Sequence, residues 1–272
     1  MNRSTVRIAA VQMVSGTEPE ANLARARHWV LQAAQQGAQL VALPEYFCLM
    51  GQQDEDKLAI AEPAGEGPLQ AFLSGLAVEA GVTLVGGTLP LRSSVPGKVH
   101  NSCLVFSPAG QQLARYDKLH LFGFDNGRER YDEGRVQQAG EAPVAFDWQG
   151  EFGSLRVALS ICYDLRFPEL YRQLAPQLIL APSAFTHTTG AAHWELLLRT
   201  RAVENLAYVM APAQGGLHAN GRRTWGHSMV VDPWGQVLAC LPEGEGLALA
   251  ELDPARLAQC RSQLPALQHR KL

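Results

Sequence analysis

Two short, mainly apolar runs, VRIAAVQM at 6–13 and LVAL at 40–43, bracket a stretch with helical spacing near the start of the chain. Runs of roughly four to eight apolar residues closed by turn formers read as strands buried on both faces, and such strands need helices to cover them. The intervening stretch supplies one. Pro19 sits near its start, Leu23, Ala26, Val30 and Ala34 fall on one face, and Gly37 stops it. Pro44 then closes the second run. Strand, helix and strand in this order form a βαβ unit, which commits the chain to an α/β architecture.

The alternation continues with a helix over 69–80 and a strand over 83–87. The middle turns β-rich, with strands at 101–106, 112–117 and 155–161, while Pro108-Ala109-Gly110 and Pro233-Trp234-Gly235 read as tight hairpin turns. Helices over 168–174 and 191–205 flank a strand at 178–181, strands follow at 208–211, 229–231, 237–241 and 247–251, and a closing helix spans 254–264. So many strands predict two sheets packed face to face with helices outside. No linker, composition break or repeat divides the chain, so 1–264 reads as one domain with a tail at 265–272. The stretch 122–142 is polar and aperiodic, and a loop that long in a compact domain is usually functional.

Composition excludes several classes. With 272 residues, 47% hydrophobic and 18% charged, the chain is long enough for a large core and is not of disordered type. A net charge of −3 carries no nucleic-acid footprint, and Arg222-Arg223 and His269-Arg270-Lys271 read as solvated surface. No apolar run approaches the ~20 residues of a membrane span, and residues 1–4 lead into the first strand without a signal-peptide pattern. Five widely spaced cysteines without C-x-x-C argue against a disulfide framework or a structural zinc site, so a reducing, cytoplasmic setting is expected. The histidines form no H-E-x-x-H, and His187 and His193 read as surface or core-satisfied, so no metal is expected.

Three reactive side chains each lie just beyond an apolar strand: Glu45 after VALP, Lys118 after QLARYD and Cys162 after VALSI. Strand ends form the floor of active-site crevices in layered α/β folds. Alone, Cys162 reads as a small buried hydrophobe, Glu45 as a loop carboxylate or helix cap, and Lys118 as a surface charge beside Asp117. Together they form a working set for amide hydrolysis. A thiolate attacks the carbonyl, a carboxylate carries the proton, and an ammonium with the N–H of Tyr163 stabilises the oxyanion. The scheme needs no cofactor and no metal.

These segments, LPEYF, YDKLHLF and SICYDLRFPELYR, resemble the three signatures of the nitrilase superfamily of carbon–nitrogen hydrolases. PSAFTHTTGAAHWELLLRTRAVEN, AQGGLH and WGHSMVVDPWG resemble its Nit-type branch, which includes omega-amidases and deaminated glutathione amidases. The resemblance spans about Arg7 to Glu251 and implies a single-domain α-β-β-α sandwich that pairs through its helices into a homodimer. It implies a Glu–Lys–Cys triad at Glu45, Lys118 and Cys162, with a second glutamate holding the lysine: Glu133, with Glu129 as competitor. The implied enzyme is a thiol-dependent amidase acting on linear amides rather than peptide bonds, its partner a small-molecule amide. N-carbamoyl amide hydrolysis, nitrile hydrolysis or aliphatic amide hydrolysis could run on the same triad, and an inactive binding protein is the rival of another class.

Arg166, four residues after Cys162, could grip a substrate carboxylate or pair with Asp164 or Glu169. In the Nit-type branch, Phe185 and Thr189 match positions lining the pocket, and omega-amidase-like substrates carry a carboxylate. The common Thr-Gly-Pro-Ala-His-Trp of that branch has Ala191 in place of its proline, a small loss of pre-organisation at an expected helix start. His187 is expected to add polar lining, Trp194 and Glu195 to pack their helix, and Cys48 to be a packed thiol. AQGGLH with Gly-His-Ser-Met leans towards the deaminated glutathione amidase side.

Overall fold

In the computed structural model, which describes residues 5–271, the first strand, Val6–Gln12, is buried on both faces. Val6, Ile8 and Ala10 join one apolar cluster with Leu155, Val157 and Leu159 of the other sheet. Ala9 and Val11 pack in a second cluster with Ala26, Val30 and Ala33 of the helix Pro19–Gln35 and with Leu69, Leu73 and Leu76 of the helix Pro68–Ala80. The two-residue period of a strand thus separates an inter-sheet layer from a sheet–helix layer. Residues 1–4, read above as leading into this strand, and residue 272 of the tail lie outside the described residues.

The first sheet runs Gly246–Leu252, Val6–Gln12, Leu40–Ala42, Thr83–Val85, Val99–Phe106 and Leu89–Arg92, with Gln112–Asp117 also paired to Val99–Phe106. The second runs Val237–Leu241, Ser228–Val231, Tyr208–Ala211, Leu178–Leu180, Gly153–Leu159 and Ala145–Gly150. Each has a parallel centre: Ile8 faces Leu40 and Leu40 faces Thr83, while Val157 faces Leu178 and Leu178 faces Tyr208. The helices Pro168–Leu174 and His187–Asn205 place Leu170, Tyr171, Trp194 and Leu198 in the cluster of the second sheet. The result is the four-layer α-β-β-α sandwich. No described helix is long and apolar enough to cross a membrane.

Several expectations are corrected. Residues 122–142 do not form one structureless loop: Gly123–Asp125 pairs with Arg130–Asp132, and a 3₁₀ turn follows at Glu133–Arg135. These three-residue strands carry charge and glycine instead of alternating apolar residues, so periodicity misses them. Strands Leu89–Arg92 and Ala145–Gly150 and the hairpin pairing Gly215–Leu217 with Arg223–Trp225 were also not anticipated. The helix expected from 191 starts at His187, where Thr186 accepts the Thr189 N–H at 3.2 Å. Ala191 therefore lies within the helix, and the hydroxyl cap at Thr186, rather than a proline, fixes the helix entry.

Candidate active site

Glu45, Lys118 and Cys162 come together at one end of the sandwich. Glu45 lies three residues beyond Leu40–Ala42, Cys162 three beyond Gly153–Leu159, and Lys118 directly follows Gln112–Asp117. Two strands at parallel sheet centres and one from the antiparallel flank thus aim their ends at a common crevice.

Lys118 is not the surface charge that its neighbour Asp117 suggested. Its side chain is 0% exposed, and its Nζ donates to Glu45 Oε1 at 3.0 Å and to Glu133 Oε1 and Oε2 at 2.9 and 2.8 Å. Asp117 instead accepts from Ser102 and Arg115. Glu133 also accepts from the Phe122 N–H at 2.7 Å and the Tyr46 hydroxyl at 2.8 Å. Glu129, the competing glutamate, sits with Thr188 Oγ1 at 2.8 Å. Burial works against the Glu133 carboxylate, but Lys118 and these donors outweigh it and hold its pKa below the ordinary value. Burial likewise opposes the Lys118 charge, and the Glu133 and Glu45 carboxylates push its pKa above that of a free lysine.

Glu45 is fixed at both oxygens. Oε1 accepts from Asn101 Nδ2 at 2.9 Å as well as from Lys118, and Oε2 accepts the Ala184 N–H at 2.9 Å. Behind Lys118, the Gly140 N–H donates to its carbonyl at 2.9 Å, and a Cβ at Gly140 would lie 2.2 Å from the Asp117 carbonyl oxygen. Only glycine permits that approach, which closes the loop carrying Glu133 over the lysine.

Cys162 adopts φ +50°, a left-handed conformation rare for a residue with a Cβ. Its N–H donates to the Pro182 carbonyl at 3.0 Å. Buried Asp164 holds the turn, accepting from the Ile161 N–H at 2.8 Å, the Tyr116 hydroxyl at 2.7 Å and the His120 N–H at 3.1 Å, with His120 Nδ1 at 2.7 Å. No described acceptor takes the Tyr163 N–H, which is available at the turn. Burial first, and the Glu45 carboxylate second, push the Cys162 thiol well above its ordinary pKa, against the pull of Lys118. The resting side chain is a neutral thiol, so its proton must leave as the sulfur attacks.

A cleft with an empty volume of about 290 Å³ opens on this group. Glu45, Glu133 and Cys162 line it, and so do Tyr163, Arg166, Phe185 and Thr189. Arg166 forms no ion pair with Asp164 or Glu169 among the described residues. Its guanidinium lies 5.8 Å from the ring centres of both Tyr163 and Phe185, with Nη2 3.2 Å from His193 Nδ1. His187 is corrected: its ring meets Trp225 edge-on at 5.1 Å and does not line the cleft. Arg222 is also corrected, since this supposed surface residue lines the cleft and lies over the Tyr131 ring at 5.2 Å. Trp194 is buried and donates to the His227 carbonyl at 2.8 Å, and Cys48 is a buried thiol 3.8 Å from the Thr88 carbonyl. Sequence reasoning missed Asn101, Asp164 and Arg222. Asp164 lay inside a quoted motif, whereas the other two carried no local signal.

The profile of the carbon–nitrogen hydrolase family matches residues 7–262. A deaminated glutathione amidase from Synechocystis sp. is 43% identical, over 96% of this chain and 97% of that protein. Human omega-amidase NIT2 is 38% identical, over 98% and 96% respectively. The crystal structure of Saccharomyces cerevisiae Nit3, a member of branch 10 of the nitrilase superfamily, superposes with a TM-score of 0.86 at 32% identity, covering 98% of this chain and 97% of that one. A mutant amidase from Nesterenkonia sp. AN1, showing Michael addition of acrylamide at its active-site cysteine, gives 0.78 at 29% identity, covering 96% and 98%.

Proposed function

This chain belongs to the carbon–nitrogen hydrolase family and is a hydrolase acting on amides, and on that premise we propose that Cys162 cleaves its substrate through a thioester. Glu45 accepts the thiol proton as sulfur attacks the amide carbon. The oxyanion forms between the Lys118 ammonium and the Tyr163 N–H, both fixed before the charge develops. Collapse expels ammonia from a primary amide, or the amine from a substituted one; the departing group takes the proton from Glu45 and leaves the acyl group on sulfur. Glu45 then deprotonates a water that attacks the thioester, and the second collapse returns the acid and the thiol. Glu133 positions Lys118. The observation that carries this reading is Lys118 Nζ held by Glu45 on one side and bidentately by Glu133 on the other.

The substrate is a small amide bearing a carboxylate: deaminated glutathione, which the name of the Synechocystis relative specifies, or the monoamide of a 2-oxo dicarboxylic acid. Arg166 supplies a cation beside the nucleophile for that carboxylate. Nitriles and simple aliphatic amides lack that anion, as do N-carbamoyl amines without an acid group, which makes them the poorer fit to this cleft. The protein works in a reducing, cytoplasmic compartment that keeps Cys162 a thiol. It pairs as a homodimer through its helical face, where Leu196 and Val203 of the His187–Asn205 helix are exposed.

Cys162→Ala should abolish amide turnover with the melting curve preserved, and Cys162→Ser should fail too, since a hydroxyl is far harder to activate. Acid quench of wild type during turnover should trap an adduct of acyl mass on Cys162. Turnover near the wild-type rate in the alanine variant would refute the thioester mechanism.

A further inference from the structure

Arg222 is one of two arginines lining the cleft on Cys162 that have no carboxylate partner among the described residues; Arg166 is the other. It precedes the strand Arg223–Trp225 and reaches inward, with Nη1 4.0 Å from the Met50 sulfur and Nη2 3.3 Å from the Ala184 carbonyl. Its Nε is buried and has no hydrogen-bond partner among the described residues. A guanidinium desolvated in this way is costly unless an anion joins it.

Its position says what kind of anion. Arg222 lines the inner cleft on Cys162 and also a wider outer cleft, with an empty volume of about 1200 Å³, bounded by Tyr46, Met50, Tyr131 and Asn220. The neighbouring charges of the outer cleft are largely matched. Lys57 pairs with Asp54 at 2.8 Å and Arg135 with Glu55 at 2.6 Å, and Arg130 lies 3.9 Å from Asp125. Arg222 has no carboxylate within 4.0 Å among the described residues, and neither has Arg166. The two arginines have different neighbours, and of the two Arg222 also lines the outer cleft. Arg166 stands with Tyr163, Phe185 and His193, and Arg222 with Tyr131 and Met50 on the outer-cleft side.

Resting on the amidase reading above, we propose that Arg222 binds a carboxylate carried by the leaving amine. With Arg166 gripping the carboxylate of the acyl part, the site then takes a substrate with one carboxylate on each side of the amide it cleaves. The leaving amine extends into the outer cleft, which makes Arg222 a residue that selects N-substituted amides over primary ones. A primary amide of a 2-oxo dicarboxylic acid fills only the acyl side and leaves Arg222 unpaired.

The test uses three amides of 2-oxoglutarate at its distal carboxyl group: the primary amide, the cysteinylglycine amide, and the same dipeptide amide with its glycine carboxylate blocked as a carboxamide. Release of 2-oxoglutarate gives kcat/KM for the full-length wild type, Arg222→Gln and Arg222→Lys. Blocking the carboxylate should cost wild type at least ~10-fold, mostly in KM, on the scale of a charge-assisted hydrogen bond. Arg222→Gln should lose a similar factor on the free acid and less than about two-fold more on blocking, and Arg222→Lys should recover part of the loss. Equal rates of wild type on the free and blocked dipeptide amides, or losses that multiply in Arg222→Gln, would overturn the proposal. Because the wild-type comparison needs no variant, misfolding cannot decide it. Hydrolysis of none of the three amides would instead sink the substrate reading on which the proposal rests.

Discussion

Replacing Glu133 with glutamine keeps the size of the side chain and removes the charge that holds Lys118. In the wild type its two oxygens accept four hydrogen bonds, two from Lys118 and one each from the Phe122 N–H and the Tyr46 hydroxyl. A carboxamide has one accepting oxygen, so at least one charge-assisted bond to the ammonium is lost and a donor is turned towards a donor. A hydrogen bond to a charged group contributes about 1.5–3 kcal/mol, so the change withdraws about 3 kcal/mol from the placement of Lys118. Lys118 then settles on Glu45, which neutralises the proton carrier and draws the ammonium away from the oxyanion. If the full amount is felt in the transition state, kcat/KM falls on the order of 10²-fold, with most of the loss in kcat. Glu129→Gln, whose carboxylate meets only Thr188 Oγ1 among the described residues, should change kcat/KM less than about three-fold. Steady-state product release under identical conditions, with melting curves for both variants, checks this. A Glu129→Gln loss equal to or larger than that of Glu133→Gln would refute the assignment of the second glutamate, as would near wild-type kcat in Glu133→Gln.

Asp164→Asn should lower stability by about 2–4 kcal/mol in chemical denaturation, because buried donors from Ile161, Tyr116 and His120 would share one accepting oxygen. The same change should lower kcat, since that carboxylate holds the turn on which Cys162 sits. Glu133 has a folded-state pKa below its unfolded value, so its contribution is present above the unfolded pKa and is lost as pH falls through the folded one. Denaturation midpoints should therefore be level from neutral pH down to about pH 5 and fall below about pH 4, with a shallower acid limb in Glu133→Gln.

The α/β order was legible because burial leaves a local record. Strands covered on both faces, such as Tyr208–Ala211 and most of Val6–Gln12, must be largely apolar, and the helix Pro168–Leu174 announces itself with a proline at its first position. The hairpin of Gly123–Asp125 with Arg130–Asp132 left no such record, since its short strands bury little. Nor did the start of His187–Asn205, where a hydroxyl cap at Thr186 decides the entry and no apolar period marks it.

By itself, the sequence determined that Glu45, Lys118 and Cys162 each follow a strand, and therefore that a rigid sheet would present all three at strand ends, although the strand before Lys118 is only partly buried. Only the tertiary structure decided which of Glu133 and Glu129 touches Lys118. That choice depends on a charged hairpin and on Gly140 packing against the Asp117 carbonyl, contacts that no period or propensity encodes. It also turned Arg222 from a surface charge into a wall of two clefts. The charge of an arginine is written in the chain, but whether that charge meets water or a buried cleft depends on what folds over it.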